Sequence, residues 1–211
     1  MKATLCSDCN NRVLGAELDP ALIDVYKTAS AVLERGRFPV VEPIQLTGVN
    51  INKVARAVAG HLIALDDKAH HRHRMIRRLR RFVLQESAGL HPELRFHMWL
   101  YPFSRQGMLS DLHHAEFGSP HDVLWISAFK TYPLAFSFST EVQNPNYRLH
   151  GVIDLTQAIT TDTSALYTVR VETKPIVDSN WPFAPYRNGA ILTGDNGSVT
   201  TTPYQNKKLC R

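Results

Sequence analysis

The sequence predicts an α+β fold, with N-terminal helices followed by a mostly antiparallel sheet. Three observations carry that prediction. Apolar residues recur at spacings of three and four up to about residue 85, as on helices packed on one side. Beyond about residue 94 the spacing changes towards two, as on strands. The helical segments come first and the strand segments then follow one another, which is the order of an α+β chain. Residues 1–19 form a small cysteine-bearing module, 20–193 the α+β domain, and 194–211 a loose tail rich in Gly, Thr and Asn.

The first helix is predicted to start at Asp19-Pro20. Asp can cap free backbone N–H groups, and Pro is tolerated in a first turn. Leu22, Tyr26, Ala29 and Leu33 give its periodic face, and Gly36 ends it. Residues 37–47, with Pro39 and Pro43, read as an extended connector. A second helix begins near Asn50 or Asn52, with Val54, Ala57, Val58, His61, Leu62 and Leu65 as its apolar stripe. His61 lies within that stripe and reads as a packed, hydrogen-bonded residue.

A third helix is predicted over residues 69–85. Met75, Leu79, Phe82 and Val83 make its inner face, and Arg74, Arg77, Arg78 and Arg81 its outer one. Residues 95–101 then read as a strand stopped by Pro102, with 106–112 as its partner. Residues 122–129 and 134–140 form a predicted hairpin around Lys130-Thr131-Tyr132-Pro133. Residues 151–155, 167–172 and 190–193 are weaker strand candidates. Trp99, Trp125, Phe136 and Phe138 read as packing residues.

The net charge is +5, and its location matters more than its size. Lys68, Arg72, Arg74, Arg77, Arg78, Arg80 and Arg81 crowd into residues 68–81 without an acid. The other 17 basic residues face 19 acidic ones, so the rest of the chain carries a net of −2. A focused patch of this kind attracts phosphate, and DNA or RNA is the partner it implies. The competing expectation is a solvated helix face balancing acids elsewhere. No apolar run reaches the roughly 18–20 residues of a membrane helix. The chain begins too polar for a signal peptide, so the expected compartment is the cytoplasm.

Three cysteines, Cys6, Cys9 and Cys210, do not make a disulfide framework. In a reducing compartment Cys6 and Cys9 read as a ligand or redox pair, and Cys210 as a free thiol. Two thiolates on one tight turn can both reach a tetrahedral zinc, which normally takes four ligands. His70, His71 and His73 read as an extension of the basic face; adjacent helix positions do not share a side, so they could bind a metal only if the turn before the third helix is irregular. Asp111, His113, His114, Glu116 and His121 form a second concentration, either a polar strand end or a site for a divalent cation.

The residues around the cysteine pair read Leu5-Cys6-Ser7-Asp8-Cys9-Asn10-Asn11-Arg12-Val13-Leu14-Gly15. This stretch resembles the second zinc-knuckle half of an HNH endonuclease of the treble-clef type. Cys6, Cys9, Asn10, Asn11, Arg12 and Gly15 fit that pattern over about the first nineteen residues. The resemblance implies zinc at Cys6 and Cys9, and a catalytic role for Asn10 near a divalent metal or the scissile phosphate. It also implies an upstream cysteine pair and a histidine general base. Neither has a counterpart before Cys6, so the family's motif is expected to be N-terminally truncated or decayed. An active member would be a metal-dependent endonuclease. Loss of the base would leave a nucleic-acid-associated protein without strong catalysis. Two other expectations compete: a non-catalytic α+β interaction module with a vestigial cysteine pair, and a thiol–disulfide role for Cys6 and Cys9.

Overall fold

A computed structural model describes residues 8–35, 42–65, 74–103, 106–115, 123–140, 151–174, 177, 190–193 and 199–200. It has the predicted α+β architecture. A π-helix, Cys9–Leu18, runs directly into α1, Asp19–Arg35. Then come β1 (Ile44–Val49), α2 (Ile51–Ala64), α3 (Arg74–Leu84), β2 (Leu94–Leu100), β3 (Gly107–Ala115), β4 (Val123–Thr131) and β5 (Leu134–Thr140). The chain continues through β6 (Val152–Asp154), a 3-10 turn (Thr156–Ala158), β7 (Tyr167–Val171), β8 (Ala190–Thr193) and β9 (Val199–Thr200). Among the described residues no helix is long and apolar enough to cross a membrane.

Helical backbone begins earlier than Asp19-Pro20 suggests. Leu14 and Leu18 continue the buried stripe of Leu22, Val25, Ala29 and Leu33 back into the π-helix. The junction at Asp19 is a change of winding. Pro20 has no N–H to donate, and the π-type ladder ends just before it, with the Asp19 amide donating to the Leu14 carbonyl. The second helix is capped as expected, with the Asn50 side chain accepting from the Lys53 amide at 2.9 Å.

The connector over 37–47 ends in a strand, since β1 pairs antiparallel with β7. The larger sheet has the order β6-β2-β5-β4-β3-β8-β9, and every pairing in it is antiparallel. The predicted hairpin is β4–β5. The expected pairing of 106–112 with 95–101 does not form, because β3 pairs with β4 and β8. Both edges of β2 are taken, by β5 and β6. The reason is facial matching. Leu94, Phe96, Met98 and Leu100 oppose Thr140, Phe138, Phe136 and Leu134 and build one apolar surface. In the tail read as loose, Val199–Thr200 forms a strand beside β8.

That apolar surface packs against the helices. Phe96 stacks with Phe136 at 5.8 Å, and Phe82 of α3 meets Phe138 edge-on at 6.5 Å. The other sheet face carries a second cluster of Trp99, Tyr101, Ile126, Ala128, Ala135 and Val177. Helix α3 is therefore anchored to the core by Met75, Ile76, Leu79 and Phe82, all buried. Burial contributes roughly 1.5–3 kcal/mol per large side chain. Repulsion between neighbouring arginines on a helix costs only about 0.2–0.5 kcal/mol per pair. The core contacts decide that this highly charged segment is helical.

Candidate functional site

At 100° per residue, positions 74, 77, 78 and 81 fall on one arc of α3, away from Met75, Leu79 and Phe82. After Leu84 the chain turns back alongside the helix. The Gln85 amide donates to the Arg81 carbonyl at 3.0 Å, the Ala88 amide to the Gln85 carbonyl at 2.9 Å, and the Leu94 amide to the His91 carbonyl at 2.8 Å. Between α3 and residues 87–92 lies an open groove of about 810 Å³, lined by Arg74, Arg77, Arg78 and Arg81 with Phe82, His91 and Pro92. All four arginines singled out in the sequence meet there. Arg80 points elsewhere and is exposed.

The far wall is fixed by Arg56, which sequence reasoning missed. Its side chain rises from α2 and is only 3% exposed. The guanidinium lies 4.4 Å from the centre of the Phe82 ring. It donates to the Phe82 carbonyl, to those of Gln85 (3.1 Å), Glu86 (2.8 Å) and Ala88 (2.8 Å), and to Asn52 Oδ1 (2.6 Å). The Phe82 carbonyl is one a helix C-terminus leaves without a partner, and the other three belong to the loop just past it. One buried cation therefore caps α3 and sets the course of the loop. Burial favours the neutral form of Arg56, and the nearby Glu86 opposes that.

The arginines are not equivalent. Glu93, at the entrance to β2, accepts from Arg74 and from both terminal nitrogens of Arg78, at 2.5 and 3.0 Å. The expectation that Arg78 faces outward is corrected here: its side chain is 16% exposed and committed to Glu93. The Arg78 hydrogen bonds, with Arg74 beside them, hold the Glu93 carboxyl at about 2. Arg81 contacts only the neutral Gln85 Oε1, at 3.0 Å, and Arg77 has no ion pair among the described residues. His91 Nδ1 accepts from the Glu93 amide at 3.2 Å, so the proton of the neutral ring sits on Nε2. Partial burial, then the Arg78 charge, push the His91 pKa below its ordinary value.

The N-terminal candidates are not assembled into a described site. Cys6 lies outside the described residues. Cys9 and Asn10 contribute backbone to the π-helix, with side chains outside the description. Arg12 is tied to Asp8 at 2.9 Å and to Glu17 at 3.0 Å. His70, His71, His73, Glu116 and His121 lie outside the described residues, and Asp111, His113 and His114 place backbone in β3. Among the described residues no three His, Cys, Asp or Glu side chains form a group able to hold a metal. His61 bonds Asp19 at 3.0 Å and stacks on Phe129.

One further grouping was invisible in the sequence. Asp154, His97 and Ser137 stand opposite one another across β6, β2 and β5. These are the residue types of a hydrolase relay. Ser137 is completely buried, however, and its hydroxyl has no hydrogen-bond partner among the described residues. Asp154 accepts from the Thr156 amide at 2.8 Å, and burial drives the His97 pKa down. A hydroxyl with neither surface nor a bonded base does not start acyl transfer, so the row belongs to the sheet's packing.

The chain matches no known protein family, no curated protein and no solved structure.

Proposed function

We propose that the chain is a nucleic-acid-associated protein and that the α3 groove engages the phosphate backbone. The observation that supports this most is the convergence of Arg74, Arg77, Arg78 and Arg81 on one groove. Guanidinium groups suit phosphate because their planar fork gives paired, charge-assisted hydrogen bonds. Arg74 to Arg81 spans seven residues of helix, or about 10.5 Å at 1.5 Å per residue. That length covers about three steps of a nucleic-acid strand at 3.4 Å each. Neutral His91, with its proton on Nε2, adds a hydrogen-bond donor to the same surface.

Binding of this type is electrostatic and independent of sequence. Neither zinc at Cys6 and Cys9 nor catalysis at Asn10 is needed for it. The HNH resemblance stays a proposal about the N-terminal segment alone, tested by elemental analysis for zinc and by a metal-dependent cleavage assay. The association is tested by titrating a fluorescent duplex at several salt concentrations. Affinity is expected to fall linearly on a log–log plot as salt rises. No binding at low salt would refute it.

A further inference from the structure

We infer that Glu93 is an intramolecular stand-in for phosphate, engaging Arg74 and Arg78 of the groove's lining and limiting how many phosphates the groove takes. The inference rests on the phosphate-binding proposal and adds its control element.

The geometry carries it. Glu93 presents two oxygens to the fork of Arg78 and one of them also to Arg74, which is how a phosphate group would be held. Its backbone is fixed at the mouth of β2. The Glu93 amide donates to His91 Nδ1, the adjoining Leu94 amide closes onto the His91 carbonyl, and Arg95 Nη1 donates to the Pro92 carbonyl at 2.6 Å. A tethered carboxylate competes at the high effective concentration of an intramolecular group, commonly about millimolar. With its carboxyl held at about 2, Glu93 stays ionised throughout the physiological range, so protonation does not release the arginines. Among the described residues Arg77 and Arg81 carry no such counter-ion. The groove is thus divided into an occupied pair and an open pair, and an arriving backbone meets the open pair.

The test compares the full chain with Glu93→Gln in duplex titrations across salt. Gln is nearly isosteric and removes the charge. Opening the one phosphate site that Glu93 fills should steepen the log–log slope by about 0.9. Affinity at low salt should rise by roughly tenfold or more, the scale of a lost charge-assisted competitor. A second measurement covers a poorly folding variant. Arg74→Gln should weaken binding less than about twofold in the wild-type chain, where Arg74 is occupied. In the Glu93→Gln chain it should weaken binding by roughly tenfold. Unchanged affinity and slope in Glu93→Gln, with binding still lost on removing Arg77 and Arg81, would overturn the role of Glu93 alone. No binding by either chain would overturn the phosphate-binding proposal with it.

Discussion

Arg78 donates to Glu93 from both terminal nitrogens, Nη1 to Oε2 at 2.5 Å and Nη2 to Oε1 at 3.0 Å. The pair joins α3, at a residue that lines the groove, to the residue just before β2. It turns an apparently uniform stripe of arginines into two bound and two open ones.

The pH dependence of that pair follows from Glu93. Its folded value of about 2 lies below the ordinary 4.5, so the unfolded chain binds more protons between them. The stabilising contribution is complete above about 4.5 and is lost as pH falls through about 2. Melting temperatures of the wild-type and Glu93→Gln chains should differ by a constant amount from about pH 7 to 5, then converge below about pH 3. Convergence already between 7 and 5 would contradict the assignment.

His91 gives the groove a second dependence of different sign. Its pKa is below 6.5, so the ring is neutral near pH 7. A bound phosphate favours the protonated ring and raises that pKa, so binding takes up a proton. Affinity for nucleic acid should increase as pH falls from about 7 to 5, and His91→Gln should flatten the profile. Glu93 does not titrate in that window. A profile unchanged by the substitution would exclude His91 from the interface.

Arg56 is expected to dominate the stability of this region. Arg56→Met keeps bulk but strips donors from four carbonyls, of Phe82, Gln85, Glu86 and Ala88. Buried hydrogen bonds to a charged group contribute about 1.5–3 kcal/mol each in isolation, and they do not add. A net loss of about 3 kcal/mol in urea unfolding is expected. Arg56→Lys should recover less than half of it, because one ammonium cannot reproduce the fork. A loss below about 1 kcal/mol for Arg56→Met would show that the loop holds itself.

Gly60 tests the packing of the π-helix. A Cβ there would lie 2.2 Å from Leu14 Cδ2 and 3.2 Å from its Cγ, and Leu14 is itself buried. Gly60→Ala gains up to about 1 kcal/mol of helix propensity but overpacks this contact, at a cost of about 1–3 kcal/mol. Net destabilisation is expected in the wild-type background, and stabilisation once Leu14→Ala has made room. The same sign in both backgrounds would mean the two helices do not touch as described.

Much of the fold was legible in the sequence because periodicity reports which face is buried. The arginine stripe of α3 was readable for that reason, and so was the aromatic packing of β2 and β5. What periodicity cannot report is who sits across the gap. Glu93 is a single acid after Pro92, fifteen residues from Arg78, and only the turn over 91–94 brings them together. Arg56 sits within the apolar run Val54, Ala55, Ala57 and Val58, and that was the one signal available for it. The pairing of β3 with β4 depended on which partner offered the matching face, a long-range choice. The winding change at Asp19 was hinted at only by Leu14 and Leu18, four residues apart, ahead of Pro20.

The most direct measurement is the salt dependence of duplex binding by the wild-type chain and by Arg77→Ala/Arg81→Ala. These two arginines are exposed and not ion-paired among the described residues, so the variant should retain the wild-type melting temperature. Wild-type binding should weaken steeply with salt. The double variant should bind more weakly, with a log–log slope shallower by about 1.8. Binding that is absent at low salt, insensitive to salt, or unaffected by the double substitution would contradict a phosphate-binding groove on α3.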